Sequence, residues 1–156
     1  MIQKKPALIA QVARTQDVQA AVNLAREYGL LTSIKGGGHS IAGKALTDGG
    51  LTIDCSMMQG TAVDVDSRSA FVEPGVLLGG VDVATQKYGL ATPAGVVSHT
   101  GAAGLTRRAG FGKLSRTQGL TSDNVRSIDL VTAEGEFRRA TVSENADLFW
   151  GLRGAG

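Results

Sequence analysis

The sequence predicts an α+β protein, on three observations. Residues 7–34 read as strand, helix, strand. Short strand-like runs recur further on with turn signals between them, and only short stretches carry helical spacing. Glycine is in large excess, 22 of 156 residues, and gathers in two loops. That is about twice the usual share of roughly 7%.

The elements follow in order. Ala7 to Ala10 is a short apolar run, read as the first strand. Thr15 reads as a helix N-cap with Asp17 in the first turn, where the helix dipole favours negative charge. Val18, Ala21, Val22 and Ala25 share one helical face, Gly29 is a C-terminal stop, and Leu30 to Ile34 is the next strand. Together they make a βαβ pattern. Gly50 to Asp54, Ala62 to Val65 and Ala70 to Glu73 are three more strands, with a turn at Pro74-Gly75. Leu77, Val81, Ala84 and Tyr88 mark a second amphipathic helix that ends at Gly89. From Thr92 to Gly119 glycine recurs too often for a plain helix, at roughly 1 kcal/mol each. Ser127 to Thr132 and Glu136 to Ala140 read as a hairpin. Ser143 caps a last helix whose Leu148, Phe149 and Trp150 are read as core. A lobe boundary is placed near Ser67 to Ala70, giving a first lobe over 1–67 and a second over 68–156.

Composition excludes several function classes. At 42% hydrophobic and 19% charged residues the chain is not intrinsically disordered. Its length suits one domain or two small lobes, able to bury roughly 68–70% of the unfolded surface. With 3 prolines and no triplet period it is neither collagen-like nor a proline-rich linker. Sixteen Lys and Arg against 14 Asp and Glu leave +2, too mild for nucleic acid, and 4% aromatics argue against a base-stacking surface. Cys55 alone excludes a disulfide framework and a cysteine-rich metal site, and His39 and His99 cannot by themselves build a histidine-rich one. No apolar run is long enough to span a membrane or to serve as a signal peptide, so the expected location is the cytoplasm.

The first glycine loop reads Lys35-Gly36-Gly37-Gly38-His39-Ser40-Ile41-Ala42-Gly43. Three successive glycines let consecutive main-chain N–H groups point into one concavity, a nest for anions and phosphate above all. A tight connection between strands explains them equally well. His39 is either a hydrogen-bonded loop residue or an imidazole presented beside a phosphate cradle. Gly38, Gly43 and Lys44 satisfy most of a Walker A loop, but Ala45 stands where Ser or Thr should ligate magnesium. Gly49-Gly50 also arrives where a helix should run, which argues against a nucleotide triphosphatase. No Rossmann fingerprint follows Ile34, and Ser115 holds the third-glycine place after Gly110 and Gly112.

Several ordered blocks resemble one family. Gly36-Gly37-Gly38-His39-Ser40 with Asp48-Gly49-Gly50-Leu51-Thr52-Ile53-Asp54 is similar to the first flavin-binding lobe of the FAD-linked oxidases. These are the berberine-bridge-enzyme-like group of the vanillyl-alcohol-oxidase, or p-cresol methylhydroxylase (PCMH)-type, flavoproteins. Gly89 to Gly101 resembles that family's second FAD loop. Gly110-Phe111-Gly112, Leu114-Ser115-Arg116, Gly119-Leu120-Thr121, Asp123-Asn124 and Asp147 to Gly154 continue the likeness over nearly the whole chain.

The resemblance implies a two-lobed PCMH-type FAD-binding domain, both lobes clasping FAD. Its cofactor-binding residues would be Gly36, Gly37, Gly38, His39, Ser40 and Gly43 in the first loop. Gly95, Val97, Ser98, Gly101, Gly104, Gly110, Gly112 and Asn124 would follow in the second. It implies that His39 bonds covalently to the 8α carbon of the flavin. Some members add a cysteine in the second loop; Val97 stands there, so a single bond is expected. Cys55 reads as a small buried hydrophobe, and His99 as structural or solvent-facing. The implied function is the FAD-binding portion of an oxidoreductase that oxidises an alcohol, amine or sugar carbon of a small molecule and passes electrons to oxygen. The alternative is a non-catalytic flavin-binding remnant that needs a partner chain.

Two departures from the family pattern bear on this. Arg107-Arg108-Ala109 replaces Leu-Gly-Gly, so charge burial and weakened flavin binding are expected there. The sequence also stops at Gly156, before the rest of the FAD lobe and the substrate domain that carries the catalytic base. The chain is therefore expected to be a C-terminally truncated front part, with an exposed face for association with another chain.

Overall fold

The computed structural model describes residues 3–154. Its first unit is a parallel sheet of β1 (Leu8–Gln11), β2 (Thr32–Lys35) and β3 (Leu51–Asp54), in the order β1-β3-β2. The register aligns Ala10 and Ile34 with Ile53. As the middle strand, β3 loses both faces and both edges to protein, and Leu51 and Ile53 are each 1% exposed. Helix α1 (Thr15–Glu27) connects β1 to β2 and lays Ala21 and Ala25 against this core with Val12, Cys55 and Met58. Two buried hydroxyls satisfy each other across the sheet, Ser33 Oγ and Thr52 Oγ1 at 2.9 Å.

The start of α1 differs from the sequence reading. Thr15 is the first helical residue and Arg14 holds the cap position. No side chain caps the helix; the Asp17 carboxylate braces the turn before it, accepting from the Ala13 N–H at 3.1 Å and from Arg14 Nε at 3.1 Å. Its negative charge in the first turn also suits the positive end of the helix dipole. Gly29 ends the helix in the left-handed region, at φ +59°.

β4 (Thr61–Asp64) and β5 (Ser69–Val72) form an antiparallel hairpin. The division near Ser67 falls in the turn of that hairpin. Helix α2 (Leu78–Gln86) packs on β4, and Val76, Leu78, Val81 and Ala102 form a second core. The glycine-rich stretch after it is not wholly irregular. Short helices α3 (Ala102–Arg107) and α4 (Ser115–Gln118) lie within it, followed by a 3-10 turn at Ser122–Asn124. Gly104 is inside α3, a cost of about 1 kcal/mol that the burial of Ala102 helps offset.

β6 (Ile128–Val131) and β7 (Phe137–Ala140) make the last hairpin, tied to α1 by Gln19 Nε2 donating to the Gly135 carbonyl at 2.8 Å. Helix α5 (Ala146–Leu152) starts after Asn145, at φ +51°, rather than after Ser143. Asparagine tolerates this left-handed cap better than most residues. Phe149 is core at 2% exposure, but Trp150 is 74% exposed, against the sequence reading. Neighbouring helical residues point about 100° apart, so one narrow contact cannot bury both. Among the described residues no helix is long and apolar enough to cross a membrane.

Candidate functional site

The first glycine loop leaves the carboxyl end of β2, the end of a parallel sheet where ligands gather. Lys35 closes that strand and donates from Nζ to Asp54 Oδ2 at 2.9 Å, across the ends of β2 and β3. Burial opposes ionisation of Asp54, but bonds from Lys35 and from the Ser56 N–H outweigh it and hold the carboxyl below its ordinary range. Beyond Lys35 the backbone turns at Gly38 (φ +74°) and again at Gly43 (φ +67°). The Ser40 carbonyl accepts from the Gly43 N–H, and its hydroxyl accepts from the Lys44 N–H at 3.0 Å. Among the described residues, the main-chain N–H groups of Gly37 to Ile41 donate to no acceptor.

The second loop is laced to the start of α2. Leu78 N–H donates to the Thr100 carbonyl at 2.9 Å, Gly79 N–H to that of Ser98 at 2.8 Å, and Ala102 N–H to that of Val76 at 2.9 Å. The N–H groups of Val96 to His99 likewise donate to no acceptor among the described residues. Two anchored loops thus present two runs of free donors, a donor set that fits a diphosphate.

The loops touch. A Cβ on Gly37 would lie 2.5 Å from the Cα and N of Gly101. His39 and His99 each stand two positions from that contact, one beyond it and one before it. Their ring centroids are 4.8 Å apart, tilted at 49°. Both residues are exposed. The sequence reads His99 as structural or solvent-facing, and it is exposed; its place beside His39 comes from the contact between the two loops, which leaves no signal in either segment.

The other residues expected at the site divide by surroundings. Gly36, Gly95, Gly110 and Gly112 are spaces for the chain's own packing. A Cβ on them would strike Pro74 O at 2.8 Å, Leu105 Cδ1 at 2.5 Å, Thr121 Oγ1 at 2.3 Å and Ala94 O at 1.6 Å respectively. Asn124 is turned onto its own segment, where Nδ2 donates to the carbonyls of Gln118 and Leu120. Gly38 and Gly104 are open, with Lys35 Cε at 3.6 Å from the former and nothing within 4 Å of the latter. Ser40, Val97 and Ser98 are exposed. A hollow of ≈ 330 Å³ is lined by Lys4, Lys35, Gly38, Ser40 and Gly43 together with apolar neighbours.

Arg107 and Arg108 are both exposed, so the expected cost of burying their charge does not arise. The departure falls instead on Ala109, held at φ +72°, where a side chain strains the backbone. Cys55 is 4% exposed, and burial, then the nearby Asp54 charge, pushes its thiol up to about 11.

The family model for the FAD binding domain matches residues 6–141. An FAD-linked oxidoreductase of Dictyostelium discoideum is 43% identical over 151 residues, 97% of this chain and 33% of that protein. The crystal structure of 6-hydroxy-D-nicotine oxidase from Arthrobacter nicotinovorans superposes with a TM-score of 0.95 at 36% identity, covering 98% of this chain and 34% of that one. Glucooligosaccharide oxidase from Acremonium strictum, described with a 6-S-cysteinyl, 8α-N1-histidyl FAD, gives 0.92 at 33% identity, covering 98% and 33%. The chain spans about a third of the length of these relatives.

Proposed function

The chain belongs to the FAD binding domain family, with the two-lobed PCMH-type α+β architecture and FAD as cofactor, and from that premise we propose that it is the flavin-binding part of an FAD-dependent oxidoreductase of the berberine-bridge-enzyme-like group. That oxidoreductase oxidises an alcohol, amine or sugar carbon of a small molecule and passes the electrons to oxygen. The observation that carries the reading is the meeting of two free-donor loops at Gly37 and Gly101, with an exposed imidazole beside the contact. The N–H groups of Gly37 to Ile41 and of Val96 to His99 hold the diphosphate, and Gly38 and Gly104 leave it room. When bound, the flavin supplies the hydride and oxygen chemistry. The residues of this chain bind it, orient it and keep its phosphates from water.

His39 is the covalent attachment residue in this reading. The 8α-histidyl linkage of the similar glucooligosaccharide oxidase supports it, as does the exposure of His39 on an anchored loop. Val97 has no nucleophile, so one bond is formed. Ile34, Ile41, Phe111 and Trp150 offer exposed apolar surface for association with further protein.

The test is a visible spectrum of the purified chain after incubation with FAD, repeated on the pellet and supernatant of an acid precipitation. A flavin band that stays in the pellet is expected, moving to the supernatant in His39→Ala. A folded chain that stays colourless in excess FAD overturns the proposal.

A further inference from the structure

We infer that His99 is a positioning residue for His39: its imidazole, packed against that of His39, holds the ring in the direction from which it bonds the flavin. The inference rests on the covalent reading above and adds a residue that reading does not use.

Both rings are exposed, and an exposed imidazole on a glycine loop would sample several rotamers. The contact at 4.8 Å between centroids removes that freedom for His39. It is held from both sides. The Cys55 N–H donates to the Lys35 carbonyl at 2.9 Å and anchors the root of the His39 loop. The Leu78 and Ala102 N–H groups hold the backbone on the far side of His99, through the Thr100 and Val76 carbonyls. Gly37 and Gly101 press these two backbones together, so the ring pair is a product of main-chain packing rather than a chance surface encounter.

Attachment needs direction because it is one bond at one atom. A His39 ring nitrogen bonds the 8α carbon while the imidazole N–H and one methyl C–H are broken. The two hydrogens and the electron pair leave on dioxygen as hydrogen peroxide, so histidine, flavin and oxygen give histidyl flavin and peroxide. Holding the nitrogen toward that carbon is worth rate without any change in how tightly the flavin binds.

The experiment compares the parent chain with His99→Ala and His99→Phe in excess FAD, following flavin in acid pellet and supernatant against time. His99→Ala is expected to attach flavin about tenfold more slowly with total bound flavin unchanged, and His99→Phe, which keeps a ring, to recover most of the rate. Parent-like attachment in His99→Ala overturns the inference, as does a His99→Phe no faster than His99→Ala. Flavin absent from the acid pellet of the parent would count against the covalent reading instead. A flavin-free measurement then decides: the His39 Cε1–H proton resonance should move in His99→Ala as the neighbouring ring is lost. An unmoved resonance overturns the pairing.

Discussion

Gly37 and Gly101 meet backbone to backbone, so closely that a Cβ on either would lie 2.5 Å from main-chain atoms of the other. This contact joins the loop that leaves the parallel sheet to the loop that is laced to α2. No side chain can give way there, because both surfaces are main chain.

Gly37→Ala or Gly101→Ala should therefore cost about 1–3 kcal/mol, the usual range for overpacking. Urea unfolding followed by circular dichroism measures it, and each variant should also lose flavin. Wild-type stability in both would mean that the loops separate at little cost.

Ala109 is expected to gain from replacement by glycine. Its φ of +72° lies where an L side chain costs roughly 1–2 kcal/mol. Part of that is lost again to the greater freedom of glycine in the unfolded chain. Ala109→Gly should raise stability by about 1 kcal/mol in a denaturant titration. A loss of stability would show that the backbone there is not strained.

The Lys35–Asp54 pair predicts an acid-side loss. Asp54 is held below its ordinary range, so its contribution is complete above the unfolded value of about 3.9 and disappears as pH falls through the lower folded value. With Lys35 partly exposed, the pair is worth about 1 kcal/mol at most. Asp54→Asn should flatten stability against pH below about 4 relative to the parent. Parallel curves would remove the pair from the account.

Cys55 should be unreactive in the folded chain. Its thiol is buried and pushed up to about 11, and the thiolate is the reactive form. A thiol reagent at neutral pH should label it only once denaturant is added. Prompt labelling of the native chain would show that the first core opens readily.

Most of the first unit was legible in the sequence. The period of Val18, Ala21, Val22 and Ala25 and the punctuation at Gly29 are local signals, and the helix they predict is there. Caps were less legible: Arg14 and Asn145 hold the cap positions expected of Thr15 and Ser143, and neither makes a side-chain cap bond, because a polar residue near a helix start does not say on which side of the boundary it falls. Trp150 misled for a related reason, since a cluster of large apolar residues does not say which of them faces the core.

The sequence by itself determined the α+β class, the two glycine loops and the flavin family, because each is written in residues adjacent along the chain. What each glycine faces was decided only by the tertiary structure. Gly37 and Gly38 are neighbours in one run, yet one is pressed against Gly101 and the other is open. The pairing of His39 with His99 was decided in the same way. Both depend on how the parallel sheet and α2 set two distant loops against each other, and a contact between segments far apart in the chain leaves no period or punctuation in either.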